Sequence, residues 1–179
     1  MMSVTYEGMI FDEYISRSEI AEMVEHVAQQ IANDYADKQP VFICVLNGAL
    51  FFLTDLMRAL PIDSTVATVR LQSYEGTSST GAVRESVPLQ VDIRDKDVIV
   101  VEDIVDSGLS MHYFKRILQS RQPRSIKVAA LLFKPEALKF PDAKPDYCGR
   151  EIPNKFVIGY GLDLNELARN LPAIYALRE

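Results

Sequence analysis

Cysteine and histidine are scarce in this chain, with two of each among 179 residues. Cys44 in VFICVL and Cys148 in DYCGR form neither a disulfide framework nor a spaced set of metal ligands, and both read as reduced thiols. His26 and His112 fall in expected helices away from other polar clusters, so no histidine-based catalysis is expected. Positive charge is also short: Asp and Glu outnumber Lys and Arg by 25 to 19, a formal net charge of −6. Broad nucleic-acid or membrane-surface binding rests on a cationic field and is not expected here, so an anionic ligand would need a local site. No apolar run approaches membrane-spanning length. The stretch MMSVTYEGMIFDEY lacks a cationic segment followed by an apolar core, so a secretory signal is not expected either. These absences predict a cytoplasmic protein. With no repeat, no low-complexity tract and 48% apolar content, one domain over residues 1–179 is the simplest organisation.

What is present is hydrophobic patterning with clear punctuation. Ser16 and Glu19 fit a capping box, and Ile20, Val24, Val27, Ile31 and Tyr35 follow at helical spacing, predicting an amphipathic helix over 17–37. VFICVL at 41–46 is apolar without alternation, the pattern of a strand covered on both faces. After Asn47-Gly48 the spacing turns helical at Leu50, Leu53, Met57 and Leu60. TVATVRLQS at 65–73 reads as a strand, and the small, polar YEGTSSTGAVRES after it as a mobile loop. A strand at 97–103, a turn, a helix carrying Met111, Phe114, Ile117 and Leu118, and the strand SIKVAALLF at 125–133 make a βαβ unit, which implies parallel pairing and a right-handed crossover. Shorter β candidates are 147–150, 156–160 and 173–177. The predicted fold class is α/β, a largely parallel central sheet flanked by helices.

The most informative stretch is VIVVEDIVDSGLSM at 98–111. An apolar, β-branched run meets three acids within five positions, Glu102, Asp103 and Asp106, and crowded carboxylates call for either water or a cation. In an open parallel sheet, ligands bind beyond the carboxyl ends of strands, where these acids and Lys134 would meet. The DSGLS turn brings Gly108, small hydroxyls and a run of backbone N–H groups to a helix start, an anion cradle. Hard carboxylate oxygens beside it suit magnesium. The plainer alternative is a solvated acidic turn with Ser107 as an ordinary helix cap.

This stretch closely resembles the phosphoribosyl pyrophosphate-binding motif of type I phosphoribosyltransferases, in the form found in the hypoxanthine-guanine branch. VLNGALFF is similar to that family's pyrophosphate loop, LQSYEGTSSTG to its mobile catalytic loop, and EIPNKFVIGYGLDLNELAR to its purine-binding hood. The resemblance covers roughly residues 40–172. It implies that Glu102 and Asp103 hold the ribose hydroxyls directly or through magnesium, that Asp106 is the base near purine N7, and that Ser107, Gly108, Leu109 and Ser110 cradle the 5-phosphate. It implies that Asn47, Gly48 and Arg169 contact pyrophosphate and that Asp163 is a second magnesium ligand. Lys134 would donate to the 6-oxo group, Phe156 would stack on the base and Val157 would read its edge, while Ser73 and Tyr74 belong to the closing loop.

Taken singly, Lys134 reads equally as a surface lysine, Phe156 as core, and Asp163 and Arg169 as solvated charges. Two departures stand out: Asn47 replaces a lysine common in relatives, and Leu109 a polar or basic residue. Backbone N–H groups can still bind at both. The resemblance also implies a cis Leu46–Asn47 peptide and a hood formed by the N-terminal segment and about residues 145–179. Phosphoribosyl pyrophosphate and a 6-oxopurine, hypoxanthine or guanine, are the implied substrates, Mg2+ the cofactor, and a homodimer or homotetramer the assembly. Two competing expectations are a receiver-like signalling domain, which would separate an early acid pair from a later phospho-acceptor, and a non-catalytic nucleotide-binding regulator on the same fold. Asp106, the hood and the mobile loop argue against the second.

Overall fold

The structure is a computed structural model and describes residues 2–73 and 83–178. In chain order it contains β1 (Ser3–Tyr6), β2 (Met9–Ile15), α1 (Arg17–Asp34), β3 (Val41–Leu46), α2 (Leu50–Ala59), β4 (Thr65–Ser73) and β5 (Val83–Val87). Then follow β6 (Asp97–Val105), α3 (Leu109–Ser120), β7 (Ser125–Phe133), β8 (Tyr147–Glu151), β9 (Val157–Ile158) and β10 (Ile174–Leu177).

α1 begins at the expected capping box. The Glu19 N–H donates to the Ser16 hydroxyl, and the Ser16 N–H donates to the Glu19 carboxylate at 2.9 Å. The helix ends three residues before the predicted stop. Lys38 donates its N–H to the Tyr35 carbonyl and its ammonium to the Asp34 carbonyl, so exposed carbonyls at the helix end are satisfied without another turn. Tyr35 still buries its ring in the same cluster as Ile20, Val24, Val27 and Ile31.

The caps also make stability pH-dependent. Hydrogen bonds from the Ser16 backbone and hydroxyl, and then from Arg150, lower Glu19 from 4.5 to about 2. Arg178 and Ser3 lower Asp12 to about 2 in the same way. A folded-state value below the unfolded one means that the stabilisation is complete above about pH 4.5 and is lost as pH falls toward 2. The melting temperature should fall across that window, and Glu19→Gln should flatten the fall. Parallel acid profiles for the two proteins would show that Glu19 carries none of it.

The central sheet has the order β5-β4-β3-β6-β7-β8, all parallel except β5. Its apolar strands are covered on both sides, as expected for a parallel sheet. Phe42, Cys44, Ile99 and Val101 face α1 and α2, while Val41, Ile43, Val98 and Val100 face α3. From β3 the chain moves outward to β4 through α2, and later returns to the other side of β3 to lay down β6. The loops leaving β3 and β6 therefore diverge to opposite faces, and a crevice opens between neighbouring strand ends.

Beyond the shorter α1, three features of the central sheet and the N-terminal segment differ from the sequence expectations. β6 runs two residues past 103, because Ile104 and Val105 pair with Leu132 and Phe133 of β7. Val83 to Ser86, expected in the mobile loop, form most of β5, antiparallel to β4. The Arg121 guanidinium holds this strand through both Glu85 oxygens and the Leu89 carbonyl. Residues 74–82 of that expected loop lie outside the described residues. The third difference is the unforeseen hairpin of β1 and β2, turned by Glu7 and Gly8, both at positive φ, a two-residue turn that suits the strand twist.

β1 and β2 join β10 and β9 in a second sheet of order β1-β2-β10-β9, around Phe11, Ile158, Ala168, Ala173 and Tyr175. β8 belongs to the central sheet, so after β2 the chain returns to this smaller sheet only beyond Ile152. The predicted strand at 156–160 is reduced to Val157 and Ile158, since Gly159 and Gly161 at φ of +97° and +100° turn the backbone away. None of the described helices is long and apolar enough to cross a membrane.

Candidate active site

The crevice between β3 and β6 is walled by two loops. On one side lies Leu46-Asn47-Gly48, whose first peptide is cis, as the sequence resemblance implied. Gly48 is there because nothing larger fits: a Cβ would land on the Asp103 carboxylate. Gly161, from the smaller sheet's loop, faces the Gly48 carbonyl, which a Cβ added at Gly161 would likewise strike. The Gly48 backbone is thus held between an acid from β6 and a glycine from the second sheet.

Strand alternation divides the two neighbouring acids. Glu102 lines the α3 side of the crevice, and Asp103 faces Gly48 on the α2 side. Burial, followed by repulsion from Asp103, pushes Glu102 well above the ordinary carboxylate range. Burial also raises Asp103, to about 6, although the Ile104 N–H donates to it at 2.9 Å and the charge of Arg169 favours its ionised form. Acids destabilised in this manner gain from any cation or hydroxyl donor brought to them. Cys44, on the strand behind them, is pushed up to about 12 by burial, which keeps its thiol unreactive.

On the α3 side, Asp106, Ser107 and Gly108 turn the chain into the helix. Gly108 takes φ +78°, and an added Cβ would lie 2.7 Å from the Ala143 methyl and 2.9 Å from Leu138. The Lys139 N–H donates to the Ser107 carbonyl at 2.9 Å and pins the turn from behind. Apart from a 3.4 Å contact from the Leu109 N–H to the Ser107 hydroxyl, no side chain among the described residues caps α3. First-turn N–H groups therefore face a cavity of about 250 Å³ lined by Val45, Leu71, Glu102, Ile104, Asp106 and Ser110 among others.

Lys134, at the end of β7, is buried and donates to the Asp106 carboxylate at 2.7 Å, while Asp106 is half exposed. Its backbone N–H donates to the Val105 carbonyl, which locks the two strand ends together. Lys134 is thus a site-facing cation and not the surface lysine that it also resembled in sequence. Phe156 is likewise not core: the residue is 46% exposed, with its ring tilted against Phe11 at 6.1 Å. Val157 beside it is buried.

Asp163 and Arg169 form an ion pair at 2.9 Å. Arg169 also donates to the Gly161 carbonyl at 2.7 Å and reaches Glu166 at 3.2 Å, and its buried Nε has no partner among the described residues. Ser73 ends β4 and Tyr74 lies outside the described residues. Sequence reasoning missed Ile104, left in the turn after the predicted strand but lining the cavity from the end of β6, and Gly161, whose only signal was its place in the Gly-Tyr-Gly run.

Among the described residues no three Asp, Glu, His or Cys side chains converge as a metal cage. The donors present are hard oxygens, one or two carboxylates at a time, which fits magnesium, an ion that completes its shell with water and substrate oxygens.

Comparison with known proteins agrees with this geometry. Residues 12–165 match the model of the phosphoribosyl transferase domain. A hypoxanthine-guanine-xanthine phosphoribosyltransferase of Tritrichomonas foetus is 41% identical over 164 residues, covering 92% of this chain and 90% of its own. A hypoxanthine-guanine phosphoribosyltransferase of Mycobacterium bovis is 40% identical over 179 residues, covering 96% and 88%. The crystal structure of a hypoxanthine-guanine phosphoribosyltransferase of Bacillus anthracis, with HEPES in its active site, superposes with a TM-score of 0.88 at 39% identity, covering 93% of this chain and 98% of that one. By the matched domain model, the sequence identity and the superposed fold, the chain belongs to the phosphoribosyltransferase family.

Proposed function

We propose that this enzyme transfers the 5-phosphoribosyl group from phosphoribosyl pyrophosphate to hypoxanthine or guanine, forming the nucleotide and pyrophosphate in purine salvage. The observation that carries the choice of base is the buried Lys134 ammonium paired with Asp106 at the mouth of the cavity. An ammonium only donates, so it suits a 6-oxo group, whose oxygen accepts, and opposes the amino group of adenine. Asp106 takes the proton at N7 as the base attacks, with Lys134 holding it in place. Phe156 offers an exposed ring for stacking, and the Val157 backbone lies alongside to read the edge.

The first-turn N–H groups of α3, with Ser107 and Ser110, hold the 5-phosphate. Glu102 lies nearest that cradle and takes the ribose hydroxyls. Asp103 and Asp163 face the Gly48 side, where they would hold magnesium. Bound there, magnesium would neutralise the charge that builds on the departing pyrophosphate. Gly48 and Asn47 N–H groups and Arg169 bind the same leaving group. As it departs, the anomeric carbon becomes oxocarbenium-like, and the neighbouring carboxylates stabilise the positive charge.

The second sheet serves as the hood over the base, and Ser73 and Tyr74 lead into the closing loop. Self-association as a homodimer or homotetramer belongs to the same proposal. Val66 and Val87 lie on the side of β4 and β5 that faces away from α3, and they are exposed, as is Leu50 of α2, which leaves apolar surface for a second copy. A cytoplasmic location suits the substrates.

The test is an assay of purified protein with phosphoribosyl pyrophosphate, magnesium and, separately, hypoxanthine, guanine, xanthine and adenine. Turnover with at least one 6-oxopurine and its loss without magnesium are expected. Lys134→Gln, which can donate or accept, should narrow the preference over adenine by about tenfold or more. Nucleotide binding without turnover of any base would favour the regulator instead.

A further inference from the structure

Tyr160 occupies an unusual place for an aromatic residue. It sits at φ +50°, between Gly159 and Gly161, both also at positive φ. A side chain there is strained, and such strain persists only where the surroundings hold it. Two contacts do so. The buried ring lies tilted against Phe51 of α2 at 6.2 Å, and the hydroxyl donates to the Asp55 carboxylate at 2.7 Å. The Tyr160 N–H donates to the Leu171 carbonyl, closing the loop on the opposite side.

The next residue, Gly161, is the junction of the region taken here to bind pyrophosphate. Its Cα abuts the Gly48 carbonyl. Its N–H donates to the Arg169 carbonyl at 2.9 Å, and its own carbonyl accepts from the Arg169 guanidinium at 2.7 Å. α2 begins two residues after Gly48, so Asp55 and Gly48 belong to one rigid loop-helix unit. The Tyr160–Asp55 bond ties the loop carrying Gly161 to that unit, and through Gly161 it aligns Arg169 with the Gly48 backbone.

We propose that Tyr160 and Asp55 are positioning residues for the pyrophosphate subsite, acting together through their hydrogen bond to set the distance between Arg169 and the Gly48 loop. This rests on the phosphoribosyltransferase reading above. Asp55 is half exposed and also approaches Arg58 at 3.4 Å, so the bond is solvent-edged and its effect is that of one ordinary hydrogen bond.

The experiment compares wild type with Tyr160→Phe, Asp55→Ala, Asp55→Asn and the double variant Tyr160→Phe/Asp55→Ala. Titration calorimetry with magnesium pyrophosphate and initial-rate kinetics are the readouts. Tyr160→Phe and Asp55→Ala should each weaken pyrophosphate binding and raise KM for phosphoribosyl pyrophosphate about three- to tenfold. KM for the purine should change less than about twofold and the melting temperature by about 2–4 °C. The double variant should be no worse than either single one, because both remove the same bond. Asp55→Asn keeps an acceptor and should stay near wild type. Unchanged pyrophosphate affinity in both single variants, losses that add in the double variant, or equal losses for purine and pyrophosphate would overturn the proposal. A wild-type protein with neither turnover nor pyrophosphate binding would instead remove the transferase reading, and this inference with it.

Discussion

Asp106→Asn should lower turnover by about a hundred- to ten-thousand-fold while the protein stays folded and still binds nucleotide. Asparagine keeps an oxygen that Lys134 can donate to, so the buried ammonium retains a partner and the variant isolates the loss of the basic carboxylate. Asp106→Ala confounds the two effects, since an unpaired buried charge is itself destabilising. The comparison separates base catalysis from mere pairing. A fall in turnover shared by Asp106→Asn and Asp106→Ala, with melting temperature lower only in the second, is the expected pattern. Normal turnover in Asp106→Asn would end the assignment of Asp106 as the base.

Gly48→Ala should be among the most damaging changes of a single methyl group in the molecule. The added carbon overlaps the Asp103 carboxylate, which is fixed by its own strand and by the Ile104 N–H, so it has little room to withdraw. On the other side Gly161 blocks displacement of the Gly48 carbonyl. Overpacking of this kind costs about 1–3 kcal/mol. The displaced loop should also lower kcat/KM for phosphoribosyl pyrophosphate by about a hundredfold, because catalysis is sensitive to misplacement on the ångström scale. Denaturant unfolding and steady-state kinetics check the two parts. A stable variant with full activity would mean that the crevice tolerates a side chain there.

Much of this architecture is legible locally. β3, β4 and β7 have the predicted bounds: β3 and the second half of β7 are apolar runs buried on both faces, and β4 is a strand of β-branched residues with one face exposed. α3 begins at the Gly turn and carries its apolar stripe inward as spaced. The capping box starts α1 where Ser16 and Glu19 place it. β1, β2 and β5 escaped because short strands in mixed polar sequence are stabilised by the partner strand, which the local pattern does not identify.

The acidic stretch illustrates the same division. That three carboxylates, a glycine turn and a helix start stand together was written in residues 102–111, and with it the chemistry of an anion cradle beside acids. Other facts needed the assembled sheet. Strand alternation sets Glu102 and Asp103 on opposite faces, and the extension of β6 through Val105 places Asp106 just beyond the strand end. The pairing of Asp106 with Lys134 depends on β6 and β7 ending side by side, across 28 residues of chain. The Gly48–Gly161 approach and the Tyr160–Asp55 bond join segments more than a hundred residues apart, through close packing that no local period encodes. Patterns along the chain report which surfaces must be buried and which turns are possible; only the tertiary structure decides which side chains then meet, because that depends on register and strand order.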